Sequence, residues 1–190
     1  MTMAKASLLV VVLLSSISYS QTNPARFPGR RSDVFSPDRR YVLRNVNNSQ
    51  EPYHSIFLSD KRTGKKRKVY DYGRGAAVVW APDSRRFAVN DYAGSDFTNT
   101  YIFAADEMAR PIDVQKEIYD EADDLVGGHH EYFGVARWLD NQRVIVHHWG
   151  HGDEGMFCQC YIYTLNGPVQ KCARQPKSSD PEQRCEDTTP

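Results

Sequence analysis

Short apolar and β-branched runs, separated by polar turns, recur along the chain. Residues 78–91 read VVWAPDSRRFAVND and residues 34–46 read VFSPDRRYVLRNV. In both, an apolar pair precedes a small residue, Pro-Asp, a few polar residues and a second β-rich run. Proline presets φ for a turn, and aspartate accepts a hydrogen bond from the backbone just after itself. The pattern therefore predicts two strands joined by a tight turn, in at least two copies.

A third and weaker copy, VARWLDNQRVIVHH, occupies residues 135–148. The turn aspartates are Asp38, Asp83 and Asp140, so the first spacing is 45 residues and the second, at 57, indicates an insertion. Two more β-rich runs follow each turn. The strands predicted for the three copies are 33–35, 41–46, 54–58 and 67–70; 77–80, 86–90, 100–104 and 111–114; 135–138, 143–147, 157–165 and 169–172.

Four antiparallel strands repeating about every 45 residues are typical of a propeller blade. FSPDRRYVL and WAPDSRRFAV resemble the W-S-P-D-G-[KR] turn of TolB-like and prolyl-oligopeptidase-type β-propeller repeats, and Asp60-x-x-Thr63-Gly64 fits their last hairpin. In the third copy, Leu139 replaces the proline. The resemblance implies an all-β, propeller-like domain over 33–173, an array of about three four-stranded antiparallel units. We place these units at 33–72, 76–114 and 134–173; a plain antiparallel meander is the alternative.

An array of three units is short, because propellers usually close with four to eight blades. Open sheet edges invite pairing with another chain. We therefore expect the edges to be covered by an N-terminal extension at 21–32, or by a partner that is another protein or a second copy; a compact β-fold without open edges is the alternative.

The insertion is placed at 115–133, with a helix at 115–126. Val114, Ile118, Ala122 and Leu125 follow the i, i+4, i+8, i+11 spacing of one helical face. Beyond it, residues 174–190 are polar and proline-rich, which predicts a disordered tail.

The N-terminus predicts export. Lys5 precedes an apolar run at 6–14, and Ser18-Tyr19-Ser20 fits the small-x-small cleavage rule. We expect a signal peptide at 1–20 with cleavage near Ser20, a secreted or periplasmic location and no stable membrane insertion.

The 24 basic and 24 acidic residues balance, so net charge gives no argument for a nucleic-acid partner, and none is expected. The basic run KRTGKKRK at 61–68 is interpreted as a solvated hairpin tip that discourages edge pairing.

Four cysteines lie in the last third of the chain, and an even count in an exported protein indicates disulfides. A hairpin around Asn166-Gly167-Pro168, with Ile162 opposite Cys172, would make a diagonal Cys160–Cys172 bridge possible. Cys158 would then pair with Cys185. The competing arrangement, Cys158–Cys172 with Cys160–Cys185, stays open.

Five of the six histidines lie between positions 129 and 151. In a propeller, the loops predicted at 47–53, 92–99 and 149–156 share one end with the insertion, so these histidines should meet. Imidazole and carboxylate suit a divalent metal such as zinc. The candidate ligands are His129, His130, His148, His151 and Asp153, and ordinary polar loop residues are the alternative interpretation. The candidate partner contacts are Tyr92, Asp96, Trp149 and Glu154.

The combined interpretation is a secreted or periplasmic binding or protein-interaction module without catalytic activity. A metal-binding protein using the His-rich loop, a periplasmic inhibitor of a hydrolase and an uncatalogued hydrolase are the alternatives. Trp80 and Trp138 occupy matching repeat positions and are expected in the core.

Overall fold

The computed structural model describes residues 24–106, 108–122, 127–153 and 155–173. The predicted signal peptide, the 174–190 tail, Glu154 and Cys185 lie outside these ranges. Within them the chain forms thirteen strands and one helix. β1 (Ala25–Phe27) precedes sheet I, which contains β2 (Asp33–Phe35), β3 (Tyr41–Asn47), β4 (His54–Asp60) and β5 (Lys66–Tyr72).

Two more antiparallel sheets follow, each in meander order. Sheet II contains β6 (Ala76–Trp80), β7 (Arg86–Asp91), β8 (Asn99–Ala104) and β9 (Ile112–Asp113). Helix α1 (Val114–Glu121) leads to sheet III, which contains β10 (His130–Trp138), β11 (Arg143–Gly152), β12 (Gly155–Thr164) and β13 (Val169–Lys171). The predicted all-β class with a short helical insertion is confirmed.

The repeated aspartate shapes the first turn of each sheet. Its Oδ1 accepts a hydrogen bond from the backbone N–H two residues later, at 2.9 Å for Asp38 and Asp83 and 2.8 Å for Asp140. In the first two sheets the residue after the aspartate has positive φ, 61° at Arg39 and 64° at Ser84. The aspartate hydrogen bond is therefore common to all three turns, and the positive φ to the first two.

The sheets pack face to face around two cores. One core joins sheets I and II and includes Tyr41, Leu43, Ile56, Trp80, Phe87 and Phe103. The other joins sheets II and III with α1 and includes Val79, Ile102, Ile118, Phe133, Trp138 and Tyr161. Alternate residues of β7 face opposite cores, as a strand buried on both sides requires.

The two repeat tryptophans connect neighbouring sheets in the same way. Trp80 Nε1 donates to Val34 O at 3.4 Å, and Trp138 Nε1 donates to Val79 O at 3.2 Å. Both side chains are buried, which confirms their predicted core position. The same repeat position in sheet I is Phe35, which is 44% exposed, and no sheet precedes sheet I among the described residues.

The outer edges of β6 and β10, the first strands of sheets II and III, are covered. β1 pairs antiparallel with β6, from Ala25↔Val78 to Phe27↔Ala76. Part of the 21–32 extension therefore covers an edge, as the sequence suggested. At β10, side chains of sheet II replace a strand: Asn90 Nδ2 donates to Val135 O at 3.0 Å, and Val135 N donates to Asn90 Oδ1 at 2.9 Å. Both devices satisfy backbone groups that would otherwise invite pairing.

Sheet III is longer than predicted. β10 begins at His130, five residues early, and most of the predicted 149–156 loop belongs to the β11–β12 hairpin. Ladder pairing continues to His130↔His151 and Gly152↔Gly155. A Cβ at Gly150 would lie 1.9 Å from His130 O, so the close strand approach requires glycine there. Backbone pairing thus extends strands through polar residues that resemble a loop.

The fourth strand of sheet II is shorter than predicted because the helix starts early. Asp113 Oδ1 accepts from Lys116 N at 3.0 Å, which makes Asp113 the N-cap and ends β9 there. Val114 and Ile118 are fully buried. The predicted helix end at 126 falls in the undescribed segment 123–126, whereas α1 ends at Glu121. No helix among the described residues is long and apolar enough to cross a membrane.

The Cys160–Cys172 disulfide is confirmed, but the predicted register was wrong. Tyr163 faces Val169 and Tyr161 faces Lys171, so Cys172 directly opposes Cys160 and donates its backbone N–H to Cys160 O at 2.9 Å. The loop is longer because Leu165 leaves the hairpin, donates to Gln142 O at 2.8 Å and enters the core. Cys158 is also disulfide-bonded, and its predicted partner Cys185 lies outside the described ranges.

Replacing both Cys160 and Cys172 with alanine is expected to lower the free energy of unfolding by about 2–3 kcal/mol, because the bridge closes a short loop and limits the unfolded chain. Urea unfolding measures the difference. Non-reducing peptide mapping provides the independent check. A free Cys172 thiol in native protein would contradict the assignment.

Candidate functional site

The clustered histidines meet at one end of sheet III. His129 N donates to His151 O at 2.9 Å, and His130 and His151 are directly opposed with ring centroids 6.3 Å apart. His129 Nε2 lies 2.9 Å from Asp153 Oδ1. The predicted meeting of the insertion with the His-rich segment is confirmed, although His130 and His151 lie on strands.

His148 is separate from this exposed group because it lies inside the core. Its ring stacks on Phe133 at a centroid distance of 4.1 Å and meets the edge of Phe157 at 4.8 Å. Nδ1 lies 3.2 Å from Gln159 Oε1. Burial lowers the pKa of His148 to about 4, and the Gln159 hydrogen bond opposes this only partly. His148 is therefore a neutral, structural imidazole at ordinary pH.

Among the described residues, the exposed histidines each lie beside one other candidate ligand and not within a larger group. No three His, Cys, Asp or Glu side chains in the described ranges are grouped so as to hold a metal ion. The available pairs are His129 with Asp153 and His130 with His151. Binding of zinc stays a prediction, and the burial of His148 places that candidate ligand away from the exposed members.

The native state is expected to lose about 1.5 kcal/mol of stability through His148 when the pH falls from 6.5 to 5. The unfolded imidazole gains a proton near pH 6.5, whereas the folded one stays neutral until about pH 4. The unfolded state thus binds more protons in this interval. Urea unfolding of His148→Phe should show a shallower pH dependence than the native chain. The exposed His151→Phe is the matched control, and equal slopes in both variants would contradict the assignment.

Glu131 organises this end of the molecule, and no motif in the sequence singled it out. Its Oε1 accepts from Gly128 N at 2.6 Å, and Oε2 accepts from the hydroxyl of Tyr119 on α1. Its backbone N–H donates to Asp96 O at 2.9 Å, beside a parallel bridge between Phe97 and Glu131. One residue thus fastens the helix, the connector and the 92–98 loop to β10.

Large side chains with apolar surface lie at the same end of the molecule as Glu131 and remain accessible. Tyr132 stacks on Trp149 at 5.6 Å and donates its hydroxyl to Ser95 O. Both are half-buried. Three further residues at this end are exposed: Phe97 at 45%, Tyr119 at 42% and Met156 at 38%. We call the set the aromatic end: Phe97, Tyr119, Tyr132, Trp149 and Met156.

The predicted contact residues only partly coincide with the aromatic end. Trp149 belongs to it, but from β11 and not from a loop. Asp96 is exposed beside it, and Tyr92 is half-buried with its backbone N–H donating to Gly75 O at 2.8 Å. Sequence reasoning missed Phe97, which lies in the predicted 92–99 loop; an apolar residue in that loop was the available signal.

Comparison with known proteins gives a fold and no family. No family model matches the chain, and no curated protein matches it. A solved structure that is similar is the beta-propeller domain of the Trilobed protease from Pyrococcus furiosus, described as having an open velcro topology. It is 14% identical with a TM-score of 0.54, and the match covers 77% of this chain and 44% of that chain.

The chain thus spans less than half the length of that solved domain. At this identity the likeness concerns the fold alone. The three stacked antiparallel sheets, their repeated turns and this structural match together show that the chain has a propeller-like all-β fold.

Proposed function

We propose that the chain is an exported, non-catalytic module that binds another protein through its aromatic end. The observation that carries the proposal is the exposure of Phe97, Tyr119 and Met156, each more than one-third accessible, at the end of the fold where Tyr132 stacks on Trp149. Aromatic residues and methionine are enriched at protein interfaces, and tryptophan and tyrosine dominate their hot spots.

The aromatic end is rigidly supported, which favours binding. Trp149 and Met156 lie on the paired strands β11 and β12. Tyr119 and Tyr132 have hydroxyl hydrogen bonds to Glu131 and Ser95. Side chains that are already fixed lose less conformational entropy on association. The neighbouring His129–Asp153 pair supplies a polar rim.

A different protein is favoured over a second copy because sheet I lacks the residue types that join one sheet to the next elsewhere in the array. Ser84 Oγ accepts from Asp38 N at 3.0 Å, and Asn141 Oδ1 accepts from Asp83 N at 3.1 Å. Arg39 holds the equivalent position in sheet I and has no acceptor on its side chain. Phe35 likewise replaces the donor tryptophans. A head-to-tail copy docking here would therefore lack both repeated contacts.

Further polar contacts characterise the outward face of sheet I. Arg44 Nη2 lies 2.7 Å from Asp33 Oδ2, and Lys68 Nζ lies 2.6 Å from Asp71 Oδ2. Such a face is suited to solvent rather than to packing against another sheet.

The Cys160–Cys172 disulfide also supports the proposed secreted or periplasmic location, because disulfides persist in oxidising compartments.

Affinity capture with purified variants tests the proposal. Native chain, Phe97→Ser and Phe35→Ser are immobilised and exposed to extract from the source periplasm or medium. A stoichiometric partner should bind the native chain and Phe35→Ser equally, and should bind Phe97→Ser about tenfold more weakly if Phe97 is a hot spot. Phe35 is 44% exposed and Phe97 45%, so the control matches residue type and exposure. Equal retention by both variants would contradict the proposal.

A further inference from the structure

A cavity lies at the end of the fold opposite the aromatic end. It has a volume of about 500 Å³ and opens between the β4–β5 turn of sheet I and the chain that follows β8 in sheet II. The short turns at 36–40 and 60–65 lie at this end, whereas the 92–98 loop lies at the other. Its size falls in the range of pockets that hold small organic molecules.

The cavity has an apolar floor made by both sheets. Tyr41, Leu58 and Ala105 line it, and each of these residues is buried in the core between the sheets. Met108 adds a fully accessible apolar side chain at the rim, with 91% of its surface exposed. A ligand with an apolar body would therefore find contact on the floor and at the entrance.

The wall of the cavity is predominantly basic. Among the described residues, four cationic residues line it against two carboxylates: Arg40, Lys65, Lys66 and Arg67 against Asp60 and Asp106. Three of the cations belong to the basic run at 61–68. If this run served only to discourage edge pairing, its side chains would not need to line a cavity. The chain as a whole has no net charge, so this excess is local.

Both arginines named in the cavity wall, Arg40 and Arg67, are held in fixed positions. Arg40 Nη2 donates to Asp60 Oδ2 at 2.9 Å, and its guanidinium lies 4.5 Å above the Tyr41 ring. Arg67 Nη2 donates across the sheet interface to Ala104 O at 2.7 Å. The Arg40 hydrogen bonds also keep the pKa of Asp60 well below its usual range. This carboxylate therefore stays ionised, and its negative charge neutralises the positive charge of Arg40.

Lys65 is the cation best placed to serve a ligand. It is exposed on the turn before β5, whereas Lys66 Nζ lies 4.4 Å over the Phe57 ring. An anionic group at the entrance would form charge-assisted hydrogen bonds with Lys65, with the arginine positions fixed beneath it.

We propose that this cavity binds a small organic anion, a carboxylate or phosphate carried on an apolar body. The apolar part rests on Tyr41, Leu58 and Ala105, and the anionic group faces Lys65. The site is independent of the aromatic end.

The test is a calorimetric titration of the full chain with phenyl phosphate, benzoate, benzyl alcohol and inorganic phosphate. Saturable 1:1 binding of phenyl phosphate or benzoate, at least tenfold tighter than benzyl alcohol and inorganic phosphate, is expected. Preference between the two aromatic anions identifies the anionic group. Equal binding of the neutral alcohol, equal binding of inorganic phosphate or no saturable binding would overturn the proposal.

Matched variants locate the binding. Lys65→Gln should raise the dissociation constant of the tighter-binding aromatic anion about tenfold. Lys61→Gln, in the same basic run but outside the cavity lining, should change that constant less than twofold. Amide NMR shifts of Lys65 and Ala105 in the native chain should move with saturation. Equal losses in both variants, or shifts confined elsewhere, would assign the binding to general charge and contradict the site.

Discussion

Replacing Trp80 with alanine is expected to lower the free energy of unfolding by about 3–5 kcal/mol. Its indole is 2% exposed, lies 5.0 Å from the Phe87 ring and 6.2 Å from the Tyr41 ring, and donates to Val34 O. Truncation leaves a cavity between sheets I and II and removes the hydrogen bond to Val34 O. Urea unfolding followed by circular dichroism gives the difference.

The chain provides its own control at the equivalent repeat position. Phe35→Ala removes an aromatic ring that is 44% exposed and packs against no second sheet in the described part of the chain. Its cost should stay below about 1 kcal/mol, as for an ordinary surface substitution. Similar losses for Trp80→Ala and Phe35→Ala would mean that the sheets do not dock through the repeated tryptophan.

Replacing Asn90 with leucine is expected to cost about 2–4 kcal/mol, although the two side chains have similar size. Asn90 is 3% exposed, and its amide both donates to and accepts from the backbone of Val135. Leucine satisfies neither group, so a buried N–H and a buried C=O lose their partners. Urea unfolding should show the loss, and hydrogen exchange at the Val135 amide should accelerate.

Asn141→Leu is the matched control for this substitution. Asn141 is exposed and makes one contact between sheets, from Asp83 N to its Oδ1 at 3.1 Å. An exposed hydrogen bond contributes little because water replaces it, so a cost below about 1 kcal/mol is expected. If Asn90→Leu is as stable as Asn141→Leu, the covering of the β10 edge by Asn90 is not a stabilising feature.

The architecture was predictable where local chemistry decides it. Pro-Asp turns, alternating apolar runs and matching tryptophans predicted the strand order of all three sheets, including sheet III, where Leu139 replaces proline. These signals involve residues close together in the chain. The burial of Trp80 and Trp138 followed from their shared repeat position.

The remaining features depend on contacts distant in sequence. Polar residues around His151 resemble a loop, but cross-strand pairing and the glycine at 150 extend the hairpin through them. The register at Cys172 shifted because Leu165 is drawn into the core between sheets. Glu131 acquires its partners only when α1 and the 92–98 loop meet β10. The basic cavity forms only when sheets I and II come together.

Site-specific photo-crosslinking tests most directly the central claim that the aromatic end is the protein-binding surface. The photoreactive residue p-benzoylphenylalanine replaces Phe97 in one variant and Phe35 in the other, two phenylalanines of nearly equal exposure at 45% and 44%. Irradiation in extract from the native compartment should yield one discrete crosslinked product from position 97 and none from position 35. Equal products from both positions, or a product from position 35 alone, would contradict the claim.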